Sequence, residues 1–355
     1  MRAGLTGVNL LWEDIKHRSW LLVLAAAGAL VLLPFRLQME LSTLTYGVDT
    51  TLPDAAWLRS AEIDAAREVL GGGSFLLLAG IAAAAVISAF TGFAYLYSRR
   101  QVDFYHSLPV RREKLFLFRY LGGFLMVAVP YLFSLAAALF GVAGTYGIWD
   151  RSLSVAAAEA AGFFLLLFLL FYSLAVLAVL LTGRILTGLL LTAFFYLYGG
   201  LCRGMLRGMM SQYFDTYYGM GQGELPLQLP LFAPFFQAEG MRRVFASGEP
   251  LPVSAWILTG LSAAAALLLC VLLYRKRPSE ACGNAFGYRW MEAVIKVAVT
   301  IPCSLWTANL LQQMGYLREP AMALAAAGLT ALILVGIFEF LYSQDLRNVW
   351  RHKLS

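Results

Sequence analysis

Few residues of this chain have the chemistry and spacing that catalysis or metal binding requires. All three histidines lie in polar segments outside the long apolar runs, where they cannot build a metal centre or a serine–histidine relay within a membrane: His17, His106 and His352. No pair of cysteines has metal-ligand spacing, and we expect unreactive thiols at Cys202, Cys270, Cys282 and Cys303. The sequence therefore predicts neither a catalytic residue nor a metal site.

The sequence also lacks an ATP site. No segment matches the G-x-x-x-x-G-K-[ST] phosphate loop. The glycine run Gly71–Gly73 is followed by an apolar run instead of Lys-Ser or Lys-Thr. If this protein performs ATP-driven work, the energy must come from another subunit.

The most polar stretch of the chain, Ser98–Tyr120, lies between two long apolar runs. It carries six basic residues against two acidic ones. Its middle also holds a cluster of large side chains that a plain hairpin would not need: Phe104, Tyr105 and Leu108. Exposed aromatic residues in a charged loop are typical of a partner's docking surface. The alternative is an ordinary basic loop held by lipid headgroups.

Composition places the whole chain in a membrane. Apolar residues make up 60% and charged residues 14% of the sequence, and the mean hydropathy is +0.70. A soluble protein has about a quarter charged residues. The formal net charge of +6 is best explained as a topology signal, and no basic stripe on a soluble domain indicates nucleic-acid binding. We predict an all-α polytopic membrane protein.

Apolar runs of about 20 residues mark the membrane spans. Pro34 is expected to end the first, while Pro130 and Pro302 are expected to kink the third and seventh. Small residues spaced four apart in the second span, from Gly80 to Gly92, favour helix packing over a dimer seam. The eight predicted spans are Ser19–Phe35, Ser74–Tyr97, Leu115–Phe140, Val155–Leu181, Ile185–Leu201, Ser254–Tyr274, Ala293–Gln313 and Pro320–Tyr342.

Three segments outside the spans have patterns of their own. Residues 1–18 have apolar side chains at helical spacing and predict an amphipathic interfacial helix, with a frayed tail as the alternative. Asp54–Leu70 predicts a short surface helix after Pro53. Cys202–Pro252 is rich in glycine, proline and aromatic residues, and predicts an irregular or re-entrant outer segment. Its aromatic residues form either an interfacial belt or a route for an amphiphilic substrate.

The distribution of charge predicts the orientation. With eight spans and both termini in the cytoplasm, the inner segments carry 18 of the 27 lysines and arginines and the outer segments carry 9. Short cytoplasmic loops are enriched in basic residues. We therefore expect a multi-pass protein of the cell membrane, with Ser98–Tyr120 on the cytoplasmic side.

Two loop segments resemble those of a known family. Residues 103–115, DFYHSLPVRREKL, are similar to the first cytoplasmic loop of ABC-2 type transporter permeases in their Gram-positive bacterial branch, where D-F-Y-H-S-L-P-[VI]-x-R-E-K-L is familiar. Residues 274–283, YRKRPSEACG, are similar to that branch's Y-x-x-R-x-x-E-x-A-G segment after the sixth span. The two spans after Tyr274 exceed the family's six-helix core.

The resemblance implies the transmembrane domain of an ABC-2 type exporter, as one permease domain over residues 1–355. In this interpretation, residues 98–120 form the coupling loop, 202–252 the outer segment, and 288–355 an additional helical pair and tail. A separate cytoplasmic ATPase, which binds ATP and Mg²⁺, would dock on the coupling loop. A second permease copy or a homologue would complete the pathway. No cofactor would be bound by this chain itself.

The resemblance also implies two sets of site residues. The ATPase-coupling set is Asp103, Phe104, Tyr105, His106, Ser107, Leu108, Pro109, Arg111, Arg112, Glu113 and Lys114. The second cytoplasmic contact is Arg275, Arg277 and Glu280, and its alternative is a stop-transfer cluster. A transporter-like sensor or immunity subunit, binding an antimicrobial peptide or a cell-wall precursor, stays open as another function. A membrane enzyme would need polar groups at depth that the sequence lacks.

Overall fold

The computed structural model describes residues 12–13, 15–47, 55–72, 74–107, 110–148, 151–213, 233–246, 251–278, 282–315 and 320–343. Within these ranges the fold is all-helical, and eight helices are long and apolar enough to cross a membrane. The prediction of a multi-pass helical membrane protein is confirmed. Most of the predicted interfacial helix at residues 1–18 lies outside the described residues, although residues 15–17 are helical.

Twelve α-helices are described, and short helical turns of other types join some of them. In chain order they are α1 Ser19–Leu30, α2 Arg36–Gly47, α3 Ala55–Leu70, α4 Phe75–Phe93, α5 Arg99–His106, α6 Arg112–Ala136, α7 Arg151–Leu181, α8 Ile185–Tyr213, α9 Pro234–Ala246, α10 Val253–Lys276, α11 Arg289–Gln313 and α12 Pro320–Ser343. A π-helical segment, Ala137–Ala143, extends α6.

Pro34 does not end the first span, so that prediction is wrong. The chain passes through a π-helical turn, Val31–Phe35, that contains Pro34 and leads directly into α2. A proline inside a regular α-helix removes one hydrogen bond and its ring meets the preceding turn. The wider π-turn relieves both problems locally, so the helix continues.

Helix α7 is the centre of the fold. In the most apolar stretch of 18 residues in α7, 83% of the residues are buried inside the protein. The corresponding share in the last span is 11%. Helices α3, α4, α8 and α10 all pack against it. Its large side chains are enclosed because they meet other helices on every side, and Phe163, Phe171 and Tyr172 are fully buried. A helix that is apolar on all faces belongs in such a position.

The small residues of α4 serve two different purposes. Ser88 donates a hydrogen bond to the Gly123 carbonyl of α6 at 3.0 Å, so the two backbones approach closely there. Toward the other end of α4, a Cβ on Gly80 would lie 2.7 Å from Leu32, so the first span also approaches closely there, and Gly80 and Ala84 line a cavity as well. The close approach that the small residues predict is therefore found at both ends of the stripe.

The spans alternate in direction, so their connections lie at two opposite ends of the bundle. One end, the basic end, contains residues 98–111, the turn 182–184 and the loop 275–288, which contact one another. The opposite end contains the α2–α3 hairpin, whose Gln38 donates to the Tyr146 hydroxyl at 3.1 Å. There the Leu251 amide also donates to Glu159 at 3.1 Å. The three basic segments therefore share one end, as the alternating layout predicts.

The segment after the fifth span is less irregular than predicted. Helix α8 continues to Tyr213 instead of ending at Leu201, and α9 forms at Pro234–Ala246. Most of the proposed aromatic belt lies outside the described residues. Within α9, the Phe235 ring packs edge-on against Phe75 with centroids 6.0 Å apart, whereas Phe236 is 39% exposed.

The last two spans form a pair of their own. Helices α11 and α12 pack together, and Lys296 forms an ion pair with Glu339 between them. Pro302 lies inside α11, which continues through it. Helix α11 also contacts α8, and this contact connects the pair to the rest of the bundle.

Candidate functional site

The candidate site is the basic end, where three loops that are distant in sequence interlock. The turn 182–184 pairs with the loop before α11 through an isolated bridge between Thr182 and Phe286. The Gly287 amide donates to the Leu181 carbonyl at 2.8 Å, and the Gly283 amide donates to the Gly183 carbonyl at 3.0 Å. Backbone bonds of this kind hold the ends of α7, α8 and α11 in a single unit.

Arg277 joins this unit to the second span. It is only 6% exposed, and its guanidinium donates to the carbonyls of Val179 at 2.8 Å, Thr182 at 2.9 Å and Leu96 at 3.3 Å. Burial lowers the pKa of Arg277 from its ordinary value, because desolvation disfavours the charged form. Three carbonyl acceptors offset that cost. Arg277 is therefore an internal tie, and its burial leaves little of it for the second cytoplasmic contact that the resemblance implies.

A second tie connects the short helix α5 to the bundle through an arginine that contacts two rings. The Arg119 guanidinium carbon lies 4.2 Å from the ring centroid of Tyr95 and 4.2 Å from that of Tyr105. Arg119 also donates to the Gly92 carbonyl at 2.9 Å. The hydroxyl of Tyr95 lies 2.7 Å from that of Tyr274. Planar guanidinium groups stack well on aromatic faces, and this one links α5, α6 and the end of α4.

Helix α5 has two different faces. Val102 is 3% exposed and Tyr105 is half-buried, three residues further along on the same side. The exposed face carries Asp103, Phe104 and Ser107. Phe104 is 61% exposed although it is a large aromatic residue. The predicted cluster of exposed aromatics is therefore wrong for Tyr105, which faces inward because its ring covers Arg119.

The other predicted residues lie near the start of α6, at the end of α10, or outside the described part of the chain. Glu113, in the first turn of α6, forms an ion pair with Arg275 at the end of α10, and both side chains are about half exposed. Arg111, Arg112 and Lys114 are exposed beside them. Leu108, Pro109, Glu280 and the side chain of His106 lie outside the described residues.

Two important residues were not singled out in the sequence. Tyr95 contacts both Tyr105 and Tyr274, yet in the sequence it is only one aromatic near the end of an apolar run. Arg18 is 7% exposed, and the nearest nitrogen of its guanidinium is 2.7 Å from where a Cβ on Gly92 would lie. Burial lowers the pKa of Arg18 to about 10. Basic residues just outside an apolar run are normally explained as setting the membrane topology. Nothing in the local sequence therefore indicates that Arg18 packs inside the protein.

No family model, no curated protein and no solved structure matches this chain.

The geometry of the basic end indicates what this part of the protein can do. Among the described residues, no three His, Cys, Asp or Glu side chains come together in a group that could hold a metal ion. The arrangement is mechanical: a short helix with an exposed aromatic on one face is bound on its other face to several spans. Arg119 connects α5 to α4 and α6, and Arg277 connects Leu96, just after α4, to the end of α7.

Proposed function

We propose that this chain is the permease subunit of an ATP-driven ABC exporter. In this proposal the basic end faces the cytoplasm, where a separate ATPase docks on α5 and the start of α6. ATP and Mg²⁺ bind to that ATPase, and a second permease copy or a homologue completes the substrate pathway. The resemblance of residues 103–115 and 274–283 to ABC-2 type permeases supports this assignment.

The observation that carries the proposal is the exposed Phe104 on a helix that is tied to the bundle. An aromatic residue that is 61% exposed, in a segment rich in arginine and lysine, is typical of an interface anchor. Arg111, Arg112 and Lys114 add orientation and association rate to such an anchor. Arg119 contacts Tyr105 of α5 and the Gly92 carbonyl of α4, so a docked ATPase that moves α5 would also move the spans.

The orientation rests on the positive-inside rule. The segments at the basic end, together with the two termini, carry 18 of the 27 lysines and arginines. An ATPase in the cytoplasm can reach only loops on that side. The proposal therefore requires the opposite end, with the α2–α3 hairpin, to lie outside the cell.

Co-purification tests the proposal directly. The chain is co-expressed with the ATPase of a neighbouring open reading frame that contains a phosphate-loop motif, and is then purified in detergent through a tag on the permease. We expect the ATPase to co-elute, and we expect the wild-type complex to hydrolyse ATP. Absence of the ATPase from the purified, folded permease would contradict the docking proposal. Ligand-stimulated hydrolysis without efflux from vesicles would instead favour the sensor function.

A further inference from the structure

A cavity of about 240 Å³ lies between the first four spans. Its floor is formed by side chains that the bundle encloses: Ile81 is 8% exposed, Ala128 5% and Phe168 2%. Its wall on the first span extends from Leu21 to Leu32, about 16 Å at the rise of a helix. The lining is apolar apart from one tyrosine, Tyr131. The cavity is therefore a long apolar groove.

The mouth of the groove opens to the side, where the bilayer lies. Leu24, on its first-span edge, is 48% exposed, and Gly28 and Ala83 are exposed as well. A Cβ added at Gly28 would meet no atom within 4 Å. At Gly80, in contrast, a Cβ would lie 2.7 Å from Leu32, so the first and second spans nearly touch there. The groove is thus a lateral slot that narrows toward the opposite end.

An arginine lies just beyond that narrow end. Arg36 lies one helical turn after the lining residue Leu32, and Ser74, the N-cap of α4, lies three residues before the lining residue Leu77. Arg36 donates a hydrogen bond to the Ser74 hydroxyl. The Arg36 side chain is 26% exposed, and it forms a partly exposed ion pair with Glu40 on the same helix, with its Nε 3.7 Å from the carboxylate. At the other end of the groove Arg18 is enclosed in protein. Of these two arginines, Arg36 is the one that a lipid headgroup can approach.

We propose that the groove holds one acyl chain of an anionic phospholipid of the bilayer, with the lipid phosphate at Arg36. An apolar cavity stays free of water, and hydrocarbon is the apolar material that surrounds a membrane span. Arginine binds phosphate through two parallel charge-assisted hydrogen bonds. The phosphate would lie at the end of the bundle opposite the basic loops, and the groove extends from there toward Leu21. The site belongs to this chain alone and does not depend on an ATPase partner.

Photo-cross-linking of lipids tests this site. The full chain is placed in nanodiscs of phosphatidylcholine that contain phosphatidylglycerol with a diazirine at the end of one acyl chain. We expect the peptides that contain Gly28 and Ala83 to be labelled more densely than the peptide that contains Gly328. Gly328 is an exposed glycine of α12 with nothing within 4 Å of an added Cβ, and it does not line the groove. Equal labelling density at all three sites would overturn the groove as a site.

Two variants separate filling of the groove from general damage. Gly28→Trp places a large apolar group in the slot and should lower labelling of the Ala83 peptide to the bulk level. Gly328→Trp makes the same change on a lipid-facing helix and should leave that labelling unchanged. The smaller Gly28→Leu is used if the tryptophan variant fails to elute as a monodisperse folded protein. Unchanged labelling in a folded Gly28 variant would overturn the proposal.

The headgroup is tested by changing its charge and its partner. Arg36→Gln should lower labelling by the phosphatidylglycerol probe about fivefold, the factor expected for one basic residue near an anionic lipid. Arg36→Lys should retain most of it. A phosphatidylcholine probe with the same diazirine chain should label the wild-type groove more weakly. Equal labelling by the two probes, with no effect of Arg36→Gln, would overturn the assignment of the phosphate to Arg36.

Discussion

Arg119 and Tyr105 are in contact, with the guanidinium carbon 4.2 Å from the ring centroid. The same guanidinium lies 4.2 Å from the centroid of Tyr95, so the arginine contacts both rings, which also pack edge-on against each other. Tyr105 belongs to the segment with the strongest family resemblance, and the contact shows that its ring faces the bundle. The exposed partner on that helix is Phe104. Phe104 therefore faces outward and the neighbouring Tyr105 faces the bundle, so single substitutions can separate their roles.

Phe104→Ala should weaken binding of the ATPase by about 30-fold, the effect of losing an interface anchor worth about 2 kcal/mol. The thermal unfolding temperature of the permease should not change, because the ring is largely exposed. Binding is measured by titrating purified ATPase onto the permease in nanodiscs. Trp57→Ala, at an aromatic residue of the opposite end that is 55% exposed, is the matched control and should bind as tightly as wild type. Equal affinities for Phe104→Ala and wild type would exclude Phe104 as the anchor.

Arg119→Lys should destabilise the protein although the charge is kept. A lysine ammonium is not planar, so it cannot stack on an aromatic ring as a guanidinium does. A double-mutant cycle with Tyr105→Leu should give a coupling energy of about 1 kcal/mol, as expected for a cation–π contact. The measurement is the free energy of unfolding in detergent for wild type, the two single variants and the double variant. Additive effects would show that the contact contributes nothing.

Arg277→Gln should lower the free energy of unfolding by about 3 kcal/mol, because it removes the donor from buried carbonyls. Cys282, whose thiol donates to the Tyr97 carbonyl at 2.9 Å, should at the same time become reactive toward maleimide. Arg275→Gln, two residues away, is the control. Its ion pair with Glu113 is about half exposed, so the loss should stay below about 1 kcal/mol. Similar losses for both variants would contradict the role of Arg277 as a tie.

Gly123→Ala should destabilise the packing of α6 on α7 by about 1–3 kcal/mol. A Cβ at this position would lie 2.3 Å from the Tyr172 hydroxyl and 2.8 Å from the Ser88 hydroxyl, and both residues are buried. Gly144→Ala is the control, because a Cβ there meets no atom within 4 Å. Thermal unfolding in the same detergent measures both. A stable Gly123→Ala variant would show that the spans are further apart than in this structure.

Much of the membrane body could be predicted from the sequence, because long apolar runs have few alternatives to spanning helices. The eight spans and the position of the basic loops follow from this pattern. The end of the first span could not be predicted. Pro34 favours a helix end by its local chemistry, and in the structure it lies in a π-turn through which the helix continues.

The candidate site, too, could be predicted from the sequence only in part. Its location follows from the polar stretch Ser98–Tyr120, but the faces of α5 do not. Val102 and Tyr105 share a side only once the segment is known to be helical, and the aromatic character of Tyr105 alone suggests exposure as readily as packing. Arg277 is placed in a second cytoplasmic contact by the resemblance of residues 274–283. Its burial depends on carbonyl groups of two other segments, which no local pattern reveals.

The central claim is that α5 faces the cytoplasm, and accessibility of single cysteines in whole cells tests it most directly. In a chain without its four native cysteines, Phe104→Cys should be unreactive toward a membrane-impermeant maleimide on intact cells and reactive in inside-out vesicles. Trp57→Cys, at the opposite end, should show the reverse pattern. Labelling of Phe104→Cys on intact cells would contradict the orientation, and the docking proposal with it.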